Sequence, residues 1–330
     1  MRIAVDAMGS DRNPAPDVAG SVLAAQEWGD TILLVGDQAK IEAELGKHDT
    51  SGLTLEIVPA SQAVTMTDKP GDVVKGKPDS SMHVGMRLVK EGQADAFVSA
   101  GNTGGLLAIA MFGSLGKIKG IKRAALTAIY PLPSGPTVSA DIGANADCKP
   151  ENLVEFAQMS SLYAELALGV KEPRVALLSN GEEEGKGNQL VKDTIPLMRE
   201  QRTLNYIGNL EPKEMLSGGT DVIIHDGFAG NVLLKTLEAT AKLVKDALEE
   251  EIMAGLITKL GGALAYPAFK RVEALLDPSR VGGVLLLGID GLVISAHGRS
   301  DDVAIKNAVR QARQAAQGQV IENIRARLGR

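Results

Sequence analysis

Cysteine is almost absent: Cys148 is the one cysteine in 330 residues. An intramolecular disulfide is therefore excluded, and a single thiol suits a reducing compartment. Four scattered histidines beside one cysteine are too few for a dedicated zinc site. Aromatic residues make up 3% of the chain, which leaves no stacking platform for single-stranded nucleic acid. Positive charge is not in excess either. Lys and Arg number 35 against 41 Asp and Glu, a net charge of -6, so DNA and RNA are not expected partners. Long apolar runs are missing. The longest charge-free stretch, 96–116, holds five glycines together with Ser99, Asn102, Thr103 and Ser114. It reads as strand, loop and short helix, not as the ~20 apolar residues of a membrane span. The first residues lack a basic segment leading into an apolar signal core, so export is not expected.

What is present is the material of a packed domain: 44% hydrophobic and 23% charged residues. The 37 glycines follow no triplet period and are expected in turns and ligand loops. Short apolar strands at 1–7, 31–35, 53–58, 96–99, 137–140, 174–178 and 221–224 alternate with helices at 17–28, 38–45, 80–90, 151–168 and 186–200. That alternation predicts a mostly parallel sheet with crossover helices. Residues 59–77 read as a polar loop, and Pro131, Pro133 and Pro136 as a turn. A long helix is expected from about 230 to 251 and another over 268–276. Strands follow near 284–287 and 292–295, and one last helix runs to about 327. The reading is a single α/β domain over 1–330, carrying a protruding helix-loop-helix at 230–276.

Ligands of open α/β sheets bind where strands end and helices begin. Five such junctions here look alike. They are Asp6 to Asp11, Ser99 to Gly105, Asp141 to Asn145, Asp226 to Asn231, and His297 to Asp301. Each joins Gly to Asn, Asp or Ser, which lets backbone N–H groups approach an anion at a helix N-terminus. The same residues also serve as turn and cap residues; the repetition is what favours an anion site. No G-x-G-x-x-G follows the first strand, so a dinucleotide site is unsupported. Gly181 to Gly187 only superficially resembles a triphosphate loop, because three glutamates sit inside it and Gly187 stands where Ser or Thr would hold magnesium. Lys186 with Asn188 nonetheless pairs a cation with an amide before a helix. His225 and Cys148 read as structural, whereas His297 sits in the richer setting of Gly298, Arg299 and Ser300.

Taken in order, the segments Val5 to Asp11, Ser99 to Gly105, Leu115 to Arg123, Asp141 to Asn145, Gly181 to Asn188, Asp226 to Glu238 and Ala296 to Asp301 resemble the bacterial phosphate acyltransferase family over nearly the whole chain. Ser10 stands where that family usually has a second glycine. The resemblance implies a three-layer Rossmann-like α/β fold akin to phosphate acetyltransferase and isocitrate dehydrogenase, a homodimer, and no metal or other cofactor. It implies transfer of a fatty acyl group from acyl-[acyl carrier protein] to inorganic phosphate. The acyl phosphate would feed a membrane glycerol-3-phosphate acyltransferase in phospholipid synthesis, at the inner face of the cell membrane. A coenzyme A-dependent phosphate acetyl- or butyryltransferase, and a non-catalytic scaffold that binds carrier protein, are the competing readings.

On that reading Lys186 is the cation at the phosphate or oxyanion. Asn188 and Asn231 donate hydrogen bonds, and Asp226, Asp6 and Asp141 orient donors or move a proton. Gly9, Ser10, Ser99, Asn102, Thr103, Asn145, His297 and Ser300 complete the substrate pocket. Finally, 252–267 carries Leu256, Ile257, Leu260, Leu264 and Tyr266 with one charge, Lys259. It is too short and too rich in glycine to span a bilayer, and is expected to form an apolar tip that touches one. Burial between two copies of the chain is the rival expectation.

Overall fold

The computed structural model describes residues 1–276 and 281–329. Aliphatic runs form the strands β1 (Arg2–Asp6), β2 (Thr31–Gly36), β3 (Leu55–Pro59), β4 (Ala96–Ser99), β5 (Ala125–Leu132) and β6 (Gly135–Ala140). They continue as β7 (Arg174–Leu178), β8 (Asn205–Leu210), β9 (Val222–Ile224), β10 (Val284–Leu287) and β11 (Val293–Ser295). All join one 11-stranded sheet in the order β3-β2-β1-β4-β11-β10-β5-β6-β9-β7-β8. Successive side chains along a strand face opposite sides. Ile3 and Val5 accordingly enter one core and Ala4 the other.

The first core is covered by α1 (Ala15–Trp28), α6 (Pro150–Leu168), α7 (Gln189–Arg199), α11 (Asp302–Gln317) and α12 (Val320–Leu328), with α2 (Gln38–Leu45) beside α1. The second face carries α3 (Pro70–Gly76), α4 (Ser81–Lys90), α5 (Thr103–Ala108) with a π-helical continuation Ile109–Ser114, α8 (Pro212–Leu216) and the root of α9 (Gly227–Met253). The result is the three-layer α/β architecture. α9 and α10 (Leu256–Leu276) form the helical pair.

The sheet is mostly parallel, but β10 runs antiparallel to β11 and β5, and β5 antiparallel to β6. The consequence is a reversal. Strands β1 to β5 and β11 point one way, and β6 to β10 the other. The strand-to-helix junctions therefore fall at two opposite ends of the strands, not one.

Several expectations are corrected. The supposed polar loop at 59–77 contains α3, opened by Pro70 in a position where its missing N–H is harmless. Pro131 and Pro136 are not in a turn; they face each other across the β5–β6 ladder beside a hairpin whose Gly135 adopts φ 127. β8 lies at the sheet edge and its polar pattern hides it. The C-terminal helix is two helices, parted at Gln319 with φ 50. α10 runs from Leu256 straight through Pro267, so residues 256–266 are helical and the turn is confined to Ala254 and Gly255. Proline deletes one backbone donor there.

Candidate active site

At the first end of the strands, β1, β4 and β11 deliver their loops together. The Ser99 hydroxyl donates to Asp6 Oδ2 (2.7 Å) and accepts from the Gly101 amide (3.1 Å), while the Met8 amide donates to Asp6 Oδ1 (3.0 Å). Gly9 has to be glycine, because a Cβ there would lie 2.9 Å from the Gly101 amide nitrogen. The Ser10 hydroxyl donates to Asp17 Oδ2 at 2.5 Å, and Asp17 Oδ1 is buried without a hydrogen-bond partner. Burial pushes the Asp17 carboxyl up to about 7, helped by the charge of Asp6 and opposed by Ser10. Burial also raises Asp6, against the pull of Ser81, Ser99 and the Met8 amide. The Asp11 amide donates to the Gly298 carbonyl (2.7 Å), which ties β1 to the His297–Asp301 loop. His297 is exposed; partial desolvation and the charges of Arg299 and Lys235 hold its imidazole below the usual value.

At the second end, Asp141 organises everything. Its Oδ1 accepts from the amides of Leu126 (3.0 Å), Gly143 (3.1 Å) and Ala144 (3.0 Å). Its Oδ2 accepts from the amide (2.7 Å) and the side-chain Nδ2 (2.8 Å) of Asn145. The Asn145 carbonyl takes the Gly227 amide (2.8 Å), and Asp226 caps α9 by accepting from the Ala229 amide (2.7 Å). Asn231, exposed one turn into α9, donates to the Ile142 carbonyl (3.0 Å). An amide side chain has two N–H groups, and the second has no partner among the described residues. Cys148 lies alongside; burial, then the charges of Asp141 and Asp226, push its thiol up to about 12, so it stays a thiol at neutral pH.

Lys186 and Asn188 belong to this second end, after β7. Lys186 is exposed and has no ion pair among the described residues. Its loop is held by the Asn180 side chain, which accepts from the Gly187 amide (2.8 Å), and by Asn209, which donates to the Glu183 carbonyl (3.3 Å). Glu184 pairs with Arg199.

The structure thus divides the expected residues. Lys186, Asn188, Asp226, Asn231, Asp141 and Asn145 share one end; Asp6, Gly9, Ser10, Ser99, Asn102, Thr103, His297 and Ser300 share the other. α9 connects them, since it starts at Asp226 while Lys235 and Glu238 act electrostatically on His297. An open groove of about 450 Å³ follows α9 from Asn231 past Ala239 to Leu243.

Individual roles shift accordingly. Asp6, Ser10, Ser99, Asp141, Asn145 and Ser300 are buried, and the side chains of Asp6, Ser10, Ser99, Asp141 and Asn145 are engaged in hydrogen bonds that hold the loops. Asn188 caps α7 by accepting from the Val191 amide (3.0 Å), so its oxygen is occupied. Both polar atoms of Asn102 are engaged, Oδ1 as the α5 cap (2.9 Å) and Nδ2 against the carbonyls of Thr65, Met66 and Asp68. The Thr103 hydroxyl stands 3.5 Å from that of Ser295. Asp17 and the pair Ser139–His225 were not apparent in the sequence. The one signal for Asp17 was an acid inside the otherwise apolar and small face of α1. Among the described residues no three His, Cys, Asp or Glu side chains gather to hold a metal.

Leu256, Ile257, Leu260 and Leu264 are 69–86% exposed and Tyr266 57% exposed, with Lys270 5.7 Å above the Tyr266 ring. No helix among the described residues is long and apolar enough to cross a membrane.

A family described as "Fatty acid synthesis protein" matches residues 1–323. The phosphate acyltransferase of Herpetosiphon aurantiacus is 43% identical over 98% of this chain and 96% of its own. That of Geobacter sp. is 46% identical over 96% and 89%, and that of Clostridioides difficile 45% over 98% and 95%. Among solved structures, a phosphotransacetylase from Streptococcus pyogenes superposes with a TM-score of 0.63 at 17% identity, covering 98% of this chain and 94% of that one. A branched-chain phosphotransacylase from Enterococcus faecalis gives 0.59 at 16%, covering 96% and 99%. The structural likeness establishes the shared fold, and the sequence identity along almost the full length establishes that this chain is a member of the phosphate acyltransferase family.

Proposed function

We propose that the protein transfers a fatty acyl group from the thioester of acyl carrier protein to inorganic phosphate, releasing acyl phosphate for phospholipid synthesis. The observation that carries this is identity of 43–46% with phosphate acyltransferases over nearly the whole chain. The chemistry asks for neither a nucleophilic side chain nor a cofactor. A phosphate oxygen attacks the thioester carbonyl, the C–O bond forms, and the C–S bond breaks from the tetrahedral oxyanion. The thiolate leaves and takes a proton from solvent; an ordinary thiol pKa of ~8.5 makes it a tolerable leaving group. Positioned charge and dipoles do the rest. Lys186 supplies the cation and the second N–H of Asn231 a donor. Asp226 and Asp141 fix the turn that presents Asn231, and Cys148 takes no part.

The test is purified protein with long-chain acyl carrier protein, long-chain acyl-CoA or acetyl-CoA, with and without phosphate. Phosphate-dependent thiol release and hydroxylamine-trapped acyl phosphate should appear with the first donor. Turnover with acetyl-CoA alone would move the protein to the acetyltransferase reading. Binding of carrier protein without thiol release would make it a scaffold.

The exposed helical face from Leu256 to Tyr266 supports a second part of the proposal: the protein works as a homodimer in the cytoplasm, and this face rests on the inner leaflet. Delivery there hands a poorly soluble anhydride to a membrane-bound glycerol-3-phosphate acyltransferase. Burying a few such side chains at ~1.5–3 kcal/mol each suffices for reversible attachment when two copies act together. Replacing Leu260 and Leu264 with Glu should abolish co-sedimentation with anionic vesicles and spare the dimer and the soluble assay. A monomeric variant would instead assign the face to the contact between copies.

A further inference from the structure

One buried group at the second end has no part in the chemistry above. His225, the first residue after β9, is 3% exposed. Its Nε2 lies 2.7 Å from the Ser139 hydroxyl on β6. Its Nδ1 lies 2.9 Å from the Asp141 carbonyl and 3.1 Å from the Asp226 carbonyl. Carbonyl oxygens only accept, so Nδ1 carries the hydrogen. Burial favours the neutral ring, in which Nε2 carries no hydrogen and Ser139 donates to it. The ring is neutral, its tautomer is dictated by its neighbours, and one N–H bridges the two loops that build this end of the site.

The ring also forms the seat of α9. At Gly230 a Cβ would fall 2.2 Å from His225 Cε1 and 2.2 Å from the Asp141 carbonyl oxygen, so the first turn of α9 lies directly against the imidazole. The next residue is Asn231. Its Nδ2 reaches the Ile142 carbonyl at 3.0 Å and would stand 3.1 Å from a Cβ at Gly143. The height and rotation of this turn therefore decide where Asn231 points.

We infer that His225 is a positioning residue: its Nδ1–H, shared between the carbonyls of Asp141 and Asp226, fixes the first turn of α9 and thereby aims Asn231. The inference rests on the proposed role of Asn231 only for its effect on rate. The titratable groups around the ring are Asp141 and Asp226 on the carbonyl side, Cys148 beyond them, and Tyr130 and Glu238 on the Ser139 side. Burial, the largest influence, holds His225 below its ordinary value, against those two carboxylates and the two carbonyls.

Two substitutions separate the two edges of the ring. Asn places its amide nitrogen where Nδ1 was, whereas Gln reaches only the Nε2 position. His225→Asn should keep the bridge and stay within about 10-fold of wild-type kcat. His225→Gln should lose about 100-fold in kcat with KM for the acyl donor little changed, the scale of a roughly 1 Å misplacement in an active site. A space-filling role predicts the reverse order, because Asn leaves the larger cavity. Hydrogen exchange at the Asn231 side-chain amide, read by NMR, needs no turnover: it should quicken in His225→Gln and not in His225→Asn.

Ser139→Ala, a small change, provides the check should either His225 variant fail to fold. It removes the partner of Nε2 and leaves the Nδ1–H on both carbonyls, so the Asn231 amide should exchange as in wild type and kcat should stay within about 10-fold. An unmoved Asn231 amide in His225→Gln, equal kcat for Asn and Gln, or an Asn231 amide that quickens in Ser139→Ala overturns the inference. If the Asn231 amide loosens as expected but wild-type protein shows no phosphate-dependent acyl transfer, the positioning stands and the proposed function falls.

Discussion

Asp17 and Asp141 are both buried aspartates beside a strand end, and the protein treats them in opposite ways. Asp141 receives five N–H donors from Leu126, Gly143, Ala144 and Asn145. Asp17 receives the Ser10 hydroxyl and the hydroxyl-bearing loop around it, has one oxygen unpartnered, and sits near a second buried acid, Asp6. Five N–H donors converge on one carboxyl, whereas the other keeps one oxygen without a partner and is pushed upward by burial. The first end of the strands is thus tied by acids whose burial raises them, and the second by a carboxyl at the centre of a backbone nest. The exposed Lys186 and Asn231, suited to meeting a developing negative charge, both belong to the second end.

Removing the carboxyl from the nest should have the largest effect. Asp141→Asn replaces an acceptor with an N–H₂ group facing other donors and orphans several buried amides, at about 1–3 kcal/mol for each. We expect a loss of at least about 3 kcal/mol in urea unfolding, together with loss of turnover. A variant of near wild-type stability would show that the nest does not need its carboxyl. Next comes Lys186→Ala, which should lower kcat by about 10²–10³, or ~3–4 kcal/mol, the typical effect of deleting one preorganised oxyanion partner. Its melting temperature should not move, because the side chain is exposed. Normal turnover at saturating phosphate would take the chemistry away from this end.

Asp17→Asn is a smaller and pH-dependent change. The folded pKa of Asp17 lies above its unfolded value, so the folded state holds the proton more tightly. Its contribution to stability is complete below about 4 and is lost as pH rises through about 7. The Asn variant, unable to ionise, should come nearest wild type at about pH 4 and exceed it at about pH 8.5 in thermal melts. A constant difference across that range would mean Asp17 is ionised throughout. The smallest effect is expected at Cys148. With its thiol near 12, iodoacetamide labelling at pH 8 should be far slower than for free cysteine, and Cys148→Ala should retain full activity.

Much of the fold was legible from apolar periodicity. β1 to β4, β6, β7 and β9 and the helices α1, α2, α4, α6 and α7 need only short aliphatic runs bounded by turn residues, whereas the short α3 and α8 were missed. β5 was hidden by the prolines at its outer end, and β8 by its alternation of Asn, Tyr and Gly on an edge strand. Strand direction was not legible at all, since apolar patterning reads the same both ways. That is why five similar junctions looked like one site and are in fact two groups. Asn102, Asn188, Asp226 and Asp301 were legible as junction residues, and each caps a helix. The same oxygen chemistry serves both purposes, so the sequence pattern could not separate them. Ser139 and His225 lie 86 positions apart; nothing local announces that pair.

The length of α9 has a mechanical consequence. Its 27 residues span about 40 Å, and side chains that enter the cores belong to its first turns, chiefly Leu233, Leu234 and Leu237. It is a rod clamped at its root. A tilt of about 5° at Gly227 to Gly230 would carry the far end through about 3–4 Å over that length. By the same lever, whatever grips the Leu256–Tyr266 end must move several ångströms to turn the root by a few degrees. The hairpin can therefore ride on a fluctuating surface while Asn231, at the pivot, stays almost still.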